Sequence, residues 1–237
     1  MPEVNPFQSH NDGFGRLRVV PAQFRGKMLY MNSVHSASSR PVADPSGDVA
    51  RINRVTLPVI LIGPVNAGKS TIAVLLADRL RVSRASLDEV CWDYFKQDAG
   101  YDEAVARQHF ECGGQTCALE YVLQFYPAAV ERIVAEHPQG VIELGAGHSV
   151  YDDPNQLTHV KATLSPYPNV VLLLPSSNPD ESLDILNARQ SNPYPEIVEM
   201  NDHFVRHRSN YELATIRVYT KGKTPDETCD DIVSRLT

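Results

Sequence analysis

Residues 63–70 read Gly63-Pro-Val-Asn-Ala-Gly68-Lys69-Ser70 and follow directly on the apolar run Val55-Thr-Leu-Pro-Val-Ile-Leu-Ile62. The run has the length and the apolar content of a buried strand, with Pro58 limiting its first half. Beyond Ser70, the residues Ile72, Val74, Leu75, Leu76 and Leu80 supply one apolar side, so 70–81 is expected to be a helix. A Gly-x-x-x-x-Gly-Lys-Ser turn between a strand and a helix is a phosphate cradle. Its glycines let the backbone close around an anion, and consecutive N–H groups at the helix start point at it. Lys69 adds a charged donor, and the Ser70 hydroxyl offers an oxygen to Mg2+. Gly63, Asn66, Ala67, Gly68, Lys69, Ser70 and Thr71 are therefore the candidate nucleotide-binding residues, with Ser70 the metal ligand.

The pattern around this turn decides the fold class. Strands are expected at 84–87, 141–144, 170–174 and 216–219. Helices are expected to begin at 88 and to cover 102–110, 118–135, 180–190, 196–213 and 224–236, with Pro127 a kink or boundary and 190–195 a loop. Strands alternating with helices imply an α/β fold of three layers, a P-loop NTPase with a parallel central sheet flanked by helices. Residues 1–53 read differently. They hold Gly13, Gly15 and Gly26 and a Ser-rich polar stretch over 32–48, and are expected to form a loosely ordered extension of unknown partner. The kinase-like domain would then be 54–237.

Composition narrows the partners. A net charge of −7 argues against a nucleic-acid or anionic-membrane binder, both of which need clustered Lys and Arg. The four cysteines, Cys91, Cys112, Cys117 and Cys229, form no Cys-x-x-Cys pair. His109 lies near Cys112 and Cys117, but no second ligand pair follows at zinc spacing, so reduced and mostly buried thiols are expected. No run approaches the ~18 apolar residues of a membrane span. The polar start with Pro2 and Pro6 is unlike a secretory signal, and a cytoplasmic protein is expected.

A phosphate cradle does not by itself name a reaction. No Asn-Lys-x-Asp guanine signal is present, no strand ends in Asp-Glu as in motor ATPases, and the small size favours a compact kinase. From Val55 to Leu236 the order of motifs resembles shikimate kinase and its neighbours among the small-molecule P-loop kinases. The strongest part is the loop and helix from Leu61 to Leu80. Next is Ser86-Leu-Asp88-Glu89, where the family carries Asp-x-Asp: its first Asp helps hold Mg2+, and its second contacts the accepting hydroxyl. Asp88 falls on the second position and Ser86 on the first. Val141-Ile-Glu-Leu-Gly-Ala-Gly147 lies where the family ends a strand in three glycines lining the acceptor site. Gly145 and Gly147 match and Ala146 does not. The resemblance further implies that Arg208 binds an acceptor carboxylate and that Arg189 stands in for the arginine covering the moving phosphate. The family's Phe-Arg pair before the third strand has no counterpart, since Glu111-Cys-Gly-Gly-Gln115 and Leu119-Glu-Tyr121 hold no arginine.

The resemblance thus implies an ATP- and Mg2+-dependent kinase acting on a small hydroxylated acceptor, with a nucleoside/shikimate kinase-like fold and with Lys69, Asp88 and Arg189 catalytic. Asp88, Gly145, Gly147 and Arg208 would bind substrate. A nucleoside or antibiotic phosphotransferase, or a non-catalytic nucleotide-binding regulator, remains open. So do several residues. Asp88 could instead cap a helix. Glu143 could serve the metal or point outward, and Asp152 and Asp153 could face the pocket or form a solvated turn. His148 could contact the acceptor or hold structure. Arg206 could join the lid or lie in a solvated patch, and Trp92 and Tyr94 could wall the acceptor or sit in the core. His203 and His207 share a helix face, but no carboxylate at a matching spacing supports a metal there.

Overall fold

The computed structural model describes residues 55–97, 100–189 and 195–237. The expected extension and the loop at 190–194 lie outside the described residues. Strand β1, Val59–Ile62, is fully buried and starts only after a cis Leu57-Pro58 bond, because a proline lacks the N–H a central strand must donate. The phosphate loop leads into α1, Lys69–Leu80, whose buried face is Ile72, Ala73, Leu76, Ala77 and Leu80. Strand β2, Arg84–Ser86, runs straight into α2, Leu87–Gln97.

Helix α3 covers Glu103–Leu123 as two helical stretches that meet at a kink, where Gly114 has φ +66° and ψ −157°, and α4 is Tyr126–Glu136. Pro127 is the boundary between them, in the first turn of α4, where its missing N–H has no partner to lose. Then come β3, Val141–Glu143, a 3-10 turn at Ala146–Ser149, α5, Pro154–Leu164, and β4, Val170–Leu174. Helix α6 is Pro179–Ala188, followed by α7, Pro195–Arg206, α8, Arg208–Leu213, β5, Ile216–Tyr219, and α9, Pro225–Arg235.

The five strands lie in the order β2-β3-β1-β4-β5, and every neighbouring pair is parallel. β1 is therefore central, and the phosphate loop leaves it at the carboxyl edge of the sheet. An open parallel sheet has both faces covered by its crossover helices, and the core accordingly joins all five strands to α1, α4, α5 and α9. This is the three-layer P-loop architecture. Ligands of such sheets bind outside the carboxyl ends of the strands. No described helix is long and apolar enough to cross a membrane. Cys91 and Cys229 are buried thiols, whereas Cys112 is exposed, so burial covers fewer of them than expected.

Candidate phosphate-transfer site

The phosphate loop is held close to the sheet. A Cβ on Gly63 would meet the Leu173 carbonyl oxygen at 2.4 Å, and Gly63 has φ +138°, so only glycine fits where β1 turns past β4. Lys69 is buried in the first turn of α1, and its Nζ donates to the carbonyls of Gly63 and Pro64, each at 2.9 Å. Burial holds its pKa below the ordinary lysine value, while the negative charges of Asp88 and Glu143 act the other way. Asn66, Gly68, Lys69, Ser70, Thr71 and Arg189 line a cavity of about 320 Å3. Arg189 closes one side of it from the end of α6: its Nη1 donates to the Asn66 carbonyl at 3.2 Å and its Nη2 to Thr220 Oγ1 at 3.3 Å. Thr220 is a partner with no signal in the sequence beyond its place after β5.

The acidic residues sort themselves by strand. Glu143 is 4% exposed and points inward, where the Ser70 hydroxyl donates to its Oε1 at 2.5 Å. Arg84 Nη1 donates to its other oxygen at 3.3 Å and Arg84 Nη2 to Glu89 at 2.7 Å, so the buried carboxylate is charge-paired. An acid in an otherwise apolar strand was the one signal for it. Ser86 on β2 is the cross-strand neighbour of Glu143. Asp88 does not cap α2, because that helix already starts at Leu87. Its side chain instead lies against the loop after β3: a Cβ on Gly145 would fall 2.1 Å from Asp88 Oδ1 and 2.7 Å from His148 Nδ1. Glycine at 145 is thus what lets both groups approach. Asp88 Oδ1 and His148 Nδ1 are 3.6 Å apart, and the buried His148 ring packs on Tyr126 at 4.3 Å between centroids. Gly147 lies against the same Tyr126 ring.

The remaining candidates stand further out. Arg208 is exposed in the first turn of α8, 4.0 Å from Glu212. Arg206 pairs with Asp202 at 2.8 Å and with Asp180. Asp153 caps α5 through the Asn155 N–H, so the paired acids start a helix and do not merely form a turn. Asp152 is exposed, with Oδ1 3.1 Å from His207 Nε2. Tyr94 belongs to the core, its hydroxyl donating to Glu136 at 2.6 Å, and Trp92 packs edge-on against Phe95.

The phosphate loop thus lies at the carboxyl edge of the sheet, with Asp88 after β2 near enough to act on the Lys69 charge. The chain is 25% identical over 169 residues to shikimate kinase of Streptomyces coelicolor, across 71% of this chain and 89% of that protein. The chain is similar to shikimate kinases. Among solved structures it is similar to shikimate kinase from Acinetobacter baumannii in complex with shikimate, at 18% identity and TM-score 0.49 over 78% of this chain and 95% of that one. It is likewise similar to shikimate kinase from Aquifex aeolicus, at 21% identity and TM-score 0.47 over 75% and 94%. No family model matches the chain.

Proposed function

We propose that the protein is an ATP-dependent kinase that moves the γ-phosphate to a hydroxyl of a small acceptor, with shikimate the first candidate. The observation that carries this reading is the pair of carboxylates flanking Lys69. Glu143 reaches the cradle through Ser70, and Asp88 reaches the acceptor-side loop at Gly145. Phosphoryl transfer asks mainly for positioning and charge neutralisation, and this arrangement divides the two tasks. The loop N–H groups, Lys69 and Arg189 bind and neutralise the phosphates. Asp88 orients the accepting hydroxyl and takes up its proton at the carboxylate. Gly145 and Gly147 keep the acceptor side open, and Arg208 supplies an outer positive charge for an acidic acceptor.

The residues present also fit Mg2+. Ser70 Oγ and Glu143 Oε1 are hard oxygen donors already brought together, the donor type this ion prefers. Bound by these two groups, the ion would neutralise phosphate charge. The likeness to the Streptomyces coelicolor enzyme over most of both chains supports shikimate as the compound to try first.

The test is ADP release from MgATP over shikimate, gluconate, nucleosides and aminoglycosides. Release should rise saturably with shikimate. Asp88→Asn should lower turnover by about 100-fold or more with ATP binding kept. Saturable ATP binding with no stimulation by any of these compounds would overturn the kinase reading in favour of a nucleotide-binding regulator. Stimulation by a nucleoside or an aminoglycoside would keep the chemistry and replace the acceptor.

A further inference from the structure

Away from the phosphate cavity, the fold brings to two neighbouring histidines a carboxylate that is far from them in sequence. His203 sits in the last turn of α7, and His207 is the single extended residue between α7 and α8. Their rings are 4.8 Å apart between centroids. Asp152 arrives from the loop before α5, and one ligand atom from each of the three lies within 4.8 Å of the other two. The loop is pinned in place next to them: the Tyr151 N–H donates to Ser209 Oγ at 3.2 Å, and the Ser209 hydroxyl lies 3.3 Å from the Tyr151 carbonyl. The backbone of Asp152 is thereby fixed, while its side chain is 85% exposed and free to turn. Arg206, which lies between the two histidines in sequence, is turned toward Asp202 and Asp180.

We propose that Asp152, His203 and His207 form a site for a borderline divalent transition ion, Zn2+ above all, closed by solvent in a fourth position. Two imidazole nitrogens and one carboxylate oxygen with an open position is a donor set that suits Zn2+ and suits Mg2+ poorly. Metal–ligand bonds of about 2.0–2.2 Å need the three atoms to draw inward from their present spread, through rotation of the exposed Asp152 side chain and of the two imidazole rings. His207 Nδ1 now accepts from the Ser209 N–H at a long 3.3 Å, which places the ring proton on Nε2 facing Asp152. On binding, that proton moves through solvent to Nδ1, the weak Ser209 contact is given up, and Nε2 faces the ion. The ion would tie the α7–α8 joint to the loop that follows β3.

The test uses the full chain, stripped of metal and kept reduced, titrated with Zn2+ by calorimetry and with Co2+ by absorption. The expected result is saturable Zn2+ binding that Asp152→Asn and His203→Gln each weaken by about tenfold or more. The Co2+ form should show tetrahedral visible bands without the thiolate charge-transfer band that Cys112 or Cys117 would give. Metal-free melting of both variants should match the parent, which separates a lost ligand from a damaged fold. No saturable Zn2+ binding, binding unchanged in both variants, or a thiolate band in the Co2+ form would each overturn the site.

Discussion

At the scale of single residues, Lys69 carries the largest tension. Its ammonium is buried, and its hydrogen bonds go to two backbone carbonyls. Burial lowers its pKa below 10.5, so the folded form disfavours the charged lysine. The destabilisation is complete below the folded pKa and is relieved as pH rises toward 10.5, because the unfolded chain holds the extra proton in that window. Lys69→Met should therefore raise the stability of the nucleotide-free protein by about 1 kcal/mol and abolish the stabilisation given by MgATP. Thermal melts with and without MgATP check both halves, and a lower nucleotide-free midpoint for the variant would count against the account. The cradle was legible in the sequence because its eight residues act through local backbone geometry. Partners across the fold were not. Glu143 meets Ser70 over 73 positions and Asp152 meets His207 over 55, and no spacing rule reaches that far. An acid in an apolar strand left its direction open, and only the orientation of the strand turned it inward to Ser70.

Among the elements, those with continuous apolar runs or strong periodicity stand where expected, notably β4, β5 and α1. Helix α5 was missed because Asp152-Asp153-Pro154 reads equally as a turn. The apolar Leu157, Val160 and Leu164, spaced at three and four residues, carried the helical signal. The stretch 196–213 was expected to be mostly helical and is two helices, since His207 is extended and caps the second one. At the other end of the chain, α9 starts with a capping box: the Glu227 N–H donates to Thr224 Oγ1, and the Glu227 side chain accepts the Thr224 N–H. Thr224→Ala should cost about 1 kcal/mol in denaturant unfolding at neutral pH. Backbone and then side-chain hydrogen bonds from Thr224 hold the Glu227 carboxyl below its ordinary value. The Glu227 part of the box is thus present above the usual carboxylate range and lost as pH falls through the lowered value, so the difference between variant and parent should shrink in acid. A difference that does not change with pH would sink this account of the box.

For the molecule as a whole, alternation of strands and helices foretold a parallel sheet but left the strand order open, because order is decided by which helix packs on which face. The central place of β1 lies in its pairing with β3 on one side and β4 on the other, and all three strands are buried. Burial also grades the thiols. Cys229 is fully buried, and burial pushes its pKa up to about 11, whereas Cys112 is exposed. Alkylation of the native protein should modify Cys112 readily and reach Cys229 only through global opening, since the thiolate is the reactive form. Mass spectrometry at increasing denaturant follows the two sites, and early labelling of Cys229 would mean that α9 detaches on its own. β2 and β3 end level with each other. Adjacent strands lie about 4.8 Å apart, and Ser86 and Glu143 are direct neighbours across that gap. The Glu143 carboxylate and the Ser86 hydroxyl therefore share one corner of the sheet although 57 positions separate them along the chain.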